Sequence, residues 1–154
     1  MGFTPSHAIL RLVTGAYMIN SGVSKLSLDE EKAEALQNMA ANAIPQVKQI
    51  PAATFGKAVA ASEIALGSAL VLPFVPTKLA ALGLTAFASG LVVTYARTPG
   101  LTHADGIRPT PAGVAMAKDS WLAAIGLALL LDRKRRKAPK PAVEAAKAKK
   151  AGKA

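Results

Sequence analysis

The sequence predicts an all-α integral membrane protein: a four-helix bundle with a short extracytoplasmic amphipathic helix and a disordered basic C-terminal tail. Three observations predict it. Of the 154 residues, 51% are hydrophobic, and the mean hydropathy of +0.30 is high for a soluble domain. Four segments of near-spanning length are apolar nearly all round, whereas a soluble helix of that size shows a broad polar face. The charge is segregated: residues 1–132 hold 9 Lys/Arg and 8 Asp/Glu, but residues 133–154 hold 10 Lys/Arg against Glu144 alone. Nearly all of the net +10 therefore belongs to a tail and not to a basic face on a folded body.

The elements follow in chain order. The first span covers about 6–26, opened by Thr4-Pro5 and bracketed by Arg11 and Lys25. About 20 residues at ~1.5 Å each cover the ~30 Å hydrocarbon layer. Over about 28–43, Ser27 and Glu30 match a capping box, and Leu36, Met39, Ala40 and Ala43 recur at helical spacing. This is the amphipathic helix, ended by Pro45 and Pro51. The second span, about 58–75, contains Glu63 and stops at Pro73 and Pro76. The third, about 78–97, includes Leu79 to Ala96, a charge-free stretch that passes the strict length test for a span. A Gly- and Pro-rich loop follows. The fourth span, about 111–131, starts after Thr110 as N-cap and carries Lys118 and Asp119. Residues 1–132 thus form the transmembrane domain. Residues 133–154 are too poor in apolar side chains to offset the entropy of ordering.

Basic residues flanking the spans set the orientation. Arg133 to Lys137 place the C-terminus in the cytoplasm, and an even number of spans places the N-terminus there too. The loop from 27 to 57 then lies outside, with Lys32, Lys48 and Lys57 against Asp29, Glu30, Glu31 and Glu34. The N-terminus does not read as a cleavable signal, because no basic residue precedes the apolar stretch and Arg11 interrupts it.

The ionisable residues inside the spans are the candidate site. Charges at membrane depth are costly, so they face inward and pair. Lys25, Glu63, Arg97, Lys118 and Asp119 all fall in the outer half, Glu63 about 8 Å deep. They predict ion pairs joining Glu63 and Asp119 to Lys25, Arg97 or Lys118. Two readings of this cluster stand: it locks the bundle, or it forms an outward-facing pocket for a quinone headgroup, an anion or a lipid headgroup. On the first helix Arg11, Gly15, Met18, Gly22 and Lys25 share one stripe, opposite Leu12, Ala16, Ile19 and Val23. Gly15, Gly22, Gly67, Gly83 and Gly90 read as packing positions where helices approach closely.

Other chemistry is thinly represented. The chain has no cysteine, which excludes disulfides, cysteine-ligated metals and thiol chemistry of its own. No metal site, phosphate loop or nucleophile elbow is apparent, and no residue is assigned a catalytic role. His7 and His103 read as loop histidines and Trp121 as a packing residue. For the tail, anionic lipid is a nearer partner than nucleic acid, at ~1 kcal/mol per basic residue.

Arg11-x3-Gly15, Gly22-x2-Lys25-Leu26, then Glu63-x3-Gly67, resemble in order the opening motifs of the DoxX family of small bacterial membrane proteins. The stretch from Tyr95 through PGLTHADGIRPTPAG to KDSWLAAIGLALLLD is similar to the ending of one branch. The resemblance covers most of residues 6–132. It implies a four-helix bundle in the bacterial plasma membrane and an association with redox enzymes. Some members belong to thiosulfate–quinone oxidoreductases, and others tether soluble thiol and superoxide enzymes. The expectation is a non-catalytic membrane subunit or scaffold of a quinone-linked oxidoreductase complex. The alternatives are a small transporter or lipid-handling protein that uses the outer cluster, and a surface organiser that acts through its tail.

Overall fold

The computed structural model describes residues 5–132, and among them it is helical with no strand. The basic tail therefore lies outside the described residues. The elements are α1 (Pro5–Lys25), α2 (Glu30–Ala41), a 3₁₀ turn (Pro45–Gln49), α3 (Ala52–Val71), α4 (Thr77–Arg97), α5 (Val114–Ala117) and α6 (Ser120–Leu131). Three stretches are long and apolar enough to cross a membrane: Ala52–Val71, Thr77–Arg97 and Val114–Leu131. α1 is as long, but Arg11, Thr14, Asn20, Ser21, Ser24 and Lys25 leave it less apolar, and it is not among the three.

Prolines and caps draw the boundaries, and they correct several expected ones. α3 begins at Ala52 instead of 58, because Pro51 opens it; a missing N–H costs nothing at a helix entry. It ends at Val71 instead of 75, because Leu72 precedes Pro73 and is driven to the extended region. α2 is capped by Asp29 and not by Ser27: Asp29 Oδ1 accepts from the Lys32 N–H at 2.9 Å. The Lys32 ammonium on Oδ2 and that N–H hold the Asp29 carboxyl below the usual carboxylate range. The buried face of α2 is Ala33 and Gln37. Gln37 is buried because its amide donates to Val47 O at 2.9 Å and Ile50 O at 2.8 Å, tying down the 3₁₀ turn.

The last span is not one continuous helix from 111. The Thr110 hydroxyl does accept from the Gly113 N–H, at 3.2 Å, but regular helix starts at Val114 and is interrupted at Lys118 and Asp119. There the hydrogen bonds tighten to three-residue spacing: Asp119 N–H to Met116 O, Trp121 N–H to Lys118 O and Leu122 N–H to Asp119 O, each 3.0 Å. The Ser120 hydroxyl donates to Ala117 O at 2.7 Å, satisfying a carbonyl that the shift releases. Asp and Ser are weak helix-interior residues for this reason.

Packing runs through two helix pairs, α1 antiparallel to α3 and α4 to α6. Small residues allow both. A methyl group on Gly15 would lie 2.7 Å from the Gly67 carbonyl oxygen, and one on Gly67 would lie 2.7 Å from that of Gly15. Gly22 meets the Ala60 carbonyl in the same way, and Gly126 of α6 meets the Thr85 backbone of α4. Gly83 faces only the tip of Leu66 at 3.1 Å, and around Gly90 nothing lies within 4 Å. The close approach expected at Gly90 is thus not made among the described residues. Where the pairs meet, Met18, Leu70, Ala81, Leu84, Leu122 and Leu129 form the core. Facing outward are Val13 (68% exposed), Leu79 (62%) and Trp121 (70%), large apolar side chains suited to lipid. Trp121 is therefore not a packing residue of the core.

The loop after α4 is held by local bonds. Gly100 and Gly106 take left-handed conformations with φ of 83° and 69°. Asp105 accepts from the Ile107 and Arg108 N–H groups and pairs with the Arg108 side chain, which holds its carboxyl down at about 2.

These contacts separate the glycines. Gly15→Ala is expected to cost about 1–3 kcal/mol through overpacking. Gly90→Ala is expected to be neutral or to gain up to ~1 kcal/mol of helix propensity. Thermal unfolding of both variants in detergent compares them.

Candidate functional site

The crossing of α1 and α3 leaves a charged group of α1 at each end of the contact. At the first end Arg11 is 2% exposed. Its Nε donates to Leu70 O at 2.8 Å, and its Nη2 donates to Ala69 O at 3.1 Å and Leu72 O at 2.8 Å. Its Nη1 donates to the Thr77 hydroxyl at 2.9 Å. The last carbonyls of α3 have no partner within the helix and carry its negative dipole end, so a guanidinium suits them in both hydrogen bonding and charge. Through Thr77, Arg11 also ties the α3–α4 turn. Nearby, His7 Nε2 lies 2.8 Å from Asp132 Oδ2, joining the start of α1 to the end of α6. His7 is thus a helix residue with a partner, not a loop histidine.

At the other end Lys25 Nζ lies 2.8 Å from Glu63 Oε2 and 2.7 Å from the Ser21 hydroxyl. The Glu63 side chain is 6% exposed and that of Lys25 23%. Because α3 starts early, Glu63 stands eleven residues past Ala52, about 16 Å along the helix and not the expected ~8 Å. Asp119, at the interruption between α5 and α6, is close enough to Glu63 and Lys25 for their charges to act on it. The Tyr17 hydroxyl is likewise in range of Asp119 and Glu63. Tyr17 is 54% exposed, so it forms the outer edge of the group.

Of the expected cluster, the structure brings together Lys25, Glu63 and Asp119 and leaves out Arg97 and Lys118. Lys25–Glu63 is the ion pair made; Asp119 is half-buried and has no ion pair or hydrogen bond to its side chain among the described residues. Arg97 is exposed and donates to Ala43 O at 3.2 Å. With Asn42 Nδ2 on the Thr98 hydroxyl at 3.1 Å, it fastens the end of α2 to the end of α4. Lys118 is exposed and unpaired among the described residues, because adjacent helix positions point about 100° apart. Sequence reasoning missed Tyr17 as a member. It lies one turn before Ser21 and two before Lys25, and that spacing was the available signal.

Among the described residues no group of three or more His, Cys, Asp or Glu side chains is placed to hold a metal ion. What the arrangement offers is a neutralised ion pair, an acid without a partner among the described residues and a phenol at an apolar edge. Such a group can orient a polar headgroup or hold a proton.

The model of the DoxX family matches residues 6–97 of the 154-residue chain, which takes in α1 to α4. The comparisons with curated proteins and with solved structures gave no match.

The two ends respond differently to substitution. Lys25→Met leaves Glu63 buried without its partner and is expected to cost about 3–5 kcal/mol, whereas Lys25→Met with Glu63→Leu recovers most of that loss. Arg11→Met is expected to have no comparable rescue, because the buried Leu70 carbonyl and the part-buried carbonyls of Ala69 and Leu72 lose their donor. Thermal unfolding of the three variants in detergent distinguishes these outcomes.

Proposed function

The chain belongs to the DoxX family of membrane proteins, and from that membership we propose that it is a non-catalytic membrane subunit or scaffold of a quinone-linked oxidoreductase complex. In this reading α1 is a fourth span. Its two charges are compatible with the bilayer because Arg11 is satisfied by carbonyls and Lys25 by Glu63. The His7–Asp132 contact supports both termini on one side, and the basic residues after Asp132 favour the cytoplasm of a bacterial plasma membrane. α2, packed on α3 and α4 near Arg97, then covers the extracytoplasmic end and offers a surface to a soluble partner. The tail would hold anionic lipid.

The observation that carries the quinone reading is the position of Tyr17. A phenol on an apolar, half-exposed helix face, beside a polar group, gives a lipophilic quinone lateral access and a hydrogen-bond donor for a headgroup carbonyl. The test is affinity purification from native membranes in mild detergent, with mass spectrometry and quinone extraction. A stoichiometric oxidoreductase partner with enriched quinone is expected, and Tyr17→Phe is expected to lower the retained quinone without loss of protein. A lone protein free of quinone overturns the reading.

A further inference from the structure

The charges of the cluster do not balance. Lys25 supplies one positive charge, and Glu63 and Asp119 supply two negative ones when ionised. Lys25 is already engaged by Glu63 Oε2 at 2.8 Å and by the Ser21 hydroxyl. Among the described residues no other cation reaches the group. Lys118 is exposed and unpaired among the described residues, and Arg97 is engaged with Ala43 O. The facing titratable groups are Tyr17 and Lys25 from α1 and Glu63 from α3. From α4, Tyr95 is engaged with Ile107 O, and Lys78 lies at the opposite end of the helix.

A second feature is independent of charge. Asp119 stands where the last span departs from regular helix, with three-residue hydrogen-bond spacing on both sides of it. Interrupted helices at membrane depth let a side chain and its backbone rearrange without leaving buried carbonyls unsatisfied, and ion sites of membrane transporters are built on them. Asp119 lies about 8 Å past Val114, inside a stretch long and apolar enough to span. An uncompensated carboxylate there costs several kcal/mol, and one proton removes that cost.

We propose that Asp119 is a proton-binding site: it carries the one proton that balances the cluster, while Glu63 stays ionised against Lys25. On release of that proton, Asp119 and Glu63 compete for Lys25, so proton occupancy is coupled to the geometry of the α1–α3 pair. The proposal rests on the cluster's charges, the helix interruption and the span placement and not on the redox role, so it stands or falls whether or not a partner copurifies.

The experiment uses the full chain in detergent and in lipid vesicles. A hydrophobic carbodiimide, which reacts with protonated carboxyls in apolar surroundings, is added near neutral pH and the adduct is mapped by mass spectrometry. Labelling is expected on Asp119 and not on Glu63, and it disappears in Asp119→Asn. In Glu63→Gln, Lys25 becomes free to pair with Asp119, and labelling at Asp119 is expected to fall about tenfold or more, one pKa unit of differential interaction or greater. In Lys25→Met, labelling is expected on both acids. Helical circular dichroism and gel-filtration profile verify that each variant is folded. An unlabelled Asp119 in the folded protein overturns the proposal. So does labelling that Glu63→Gln leaves unchanged.

Discussion

The backbone contact between α1 and α3 is the constraint from which the remaining geometry follows. Gly15 and Gly67 meet with no room for a methyl group on either, and Gly22 meets the Ala60 carbonyl two turns further along. Two antiparallel helices held this closely have a single register. That register puts Arg11 on the last carbonyls of α3 and Lys25 on Glu63. In a membrane the hydrophobic effect does not drive helices together, so close packing and polar contacts must supply the association. Here one contact provides the packing, and the polar groups at its two ends give it direction.

The two ends differ in what they leave over. At the Arg11 end the guanidinium takes up α3 carbonyls and the Thr77 hydroxyl, and His7 meets Asp132. This end is closed by contacts among α1, α3, α4 and α6. At the Lys25 end one acid has an ion-pair partner and another has none among the described residues, beside an exposed phenol. The asymmetry is what makes the second end a candidate for function. A locked bundle needs the pair; it does not need Asp119 on an interrupted helix or Tyr17 at the edge.

Much of this was readable in the chain. The stripe of Arg11, Gly15, Met18, Gly22 and Lys25 on α1 follows from helical periodicity; its first four members are buried, together with Thr14, and Lys25 is partly buried. The inward position of Glu63 follows from the cost of exposing a carboxylate to lipid. What escaped reading was set by tertiary contact or by local competition. Arg11 was legible as polar but not as a cap, because its carbonyl acceptors lie 58 to 61 residues away. Pro51 reads equally well as the end of one helix and the start of the next, and the second reading moved Glu63 deeper. Lys118 and Asp119 are neighbours in sequence, yet the helix turns them apart, so only Asp119 joins the cluster. Gly90 has the composition of a packing site without a neighbour to pack on.

The most direct test of the account is exchange of the pair's charges. Lys25→Glu and Glu63→Lys are made singly and together, and thermal unfolding is followed in detergent. If the α1–α3 register places these two side chains against each other in an apolar setting, each single variant loses stability and the double variant regains most of it. A double variant as unstable as the sum of the singles would contradict the pairing, and with it the register from which the candidate site is built.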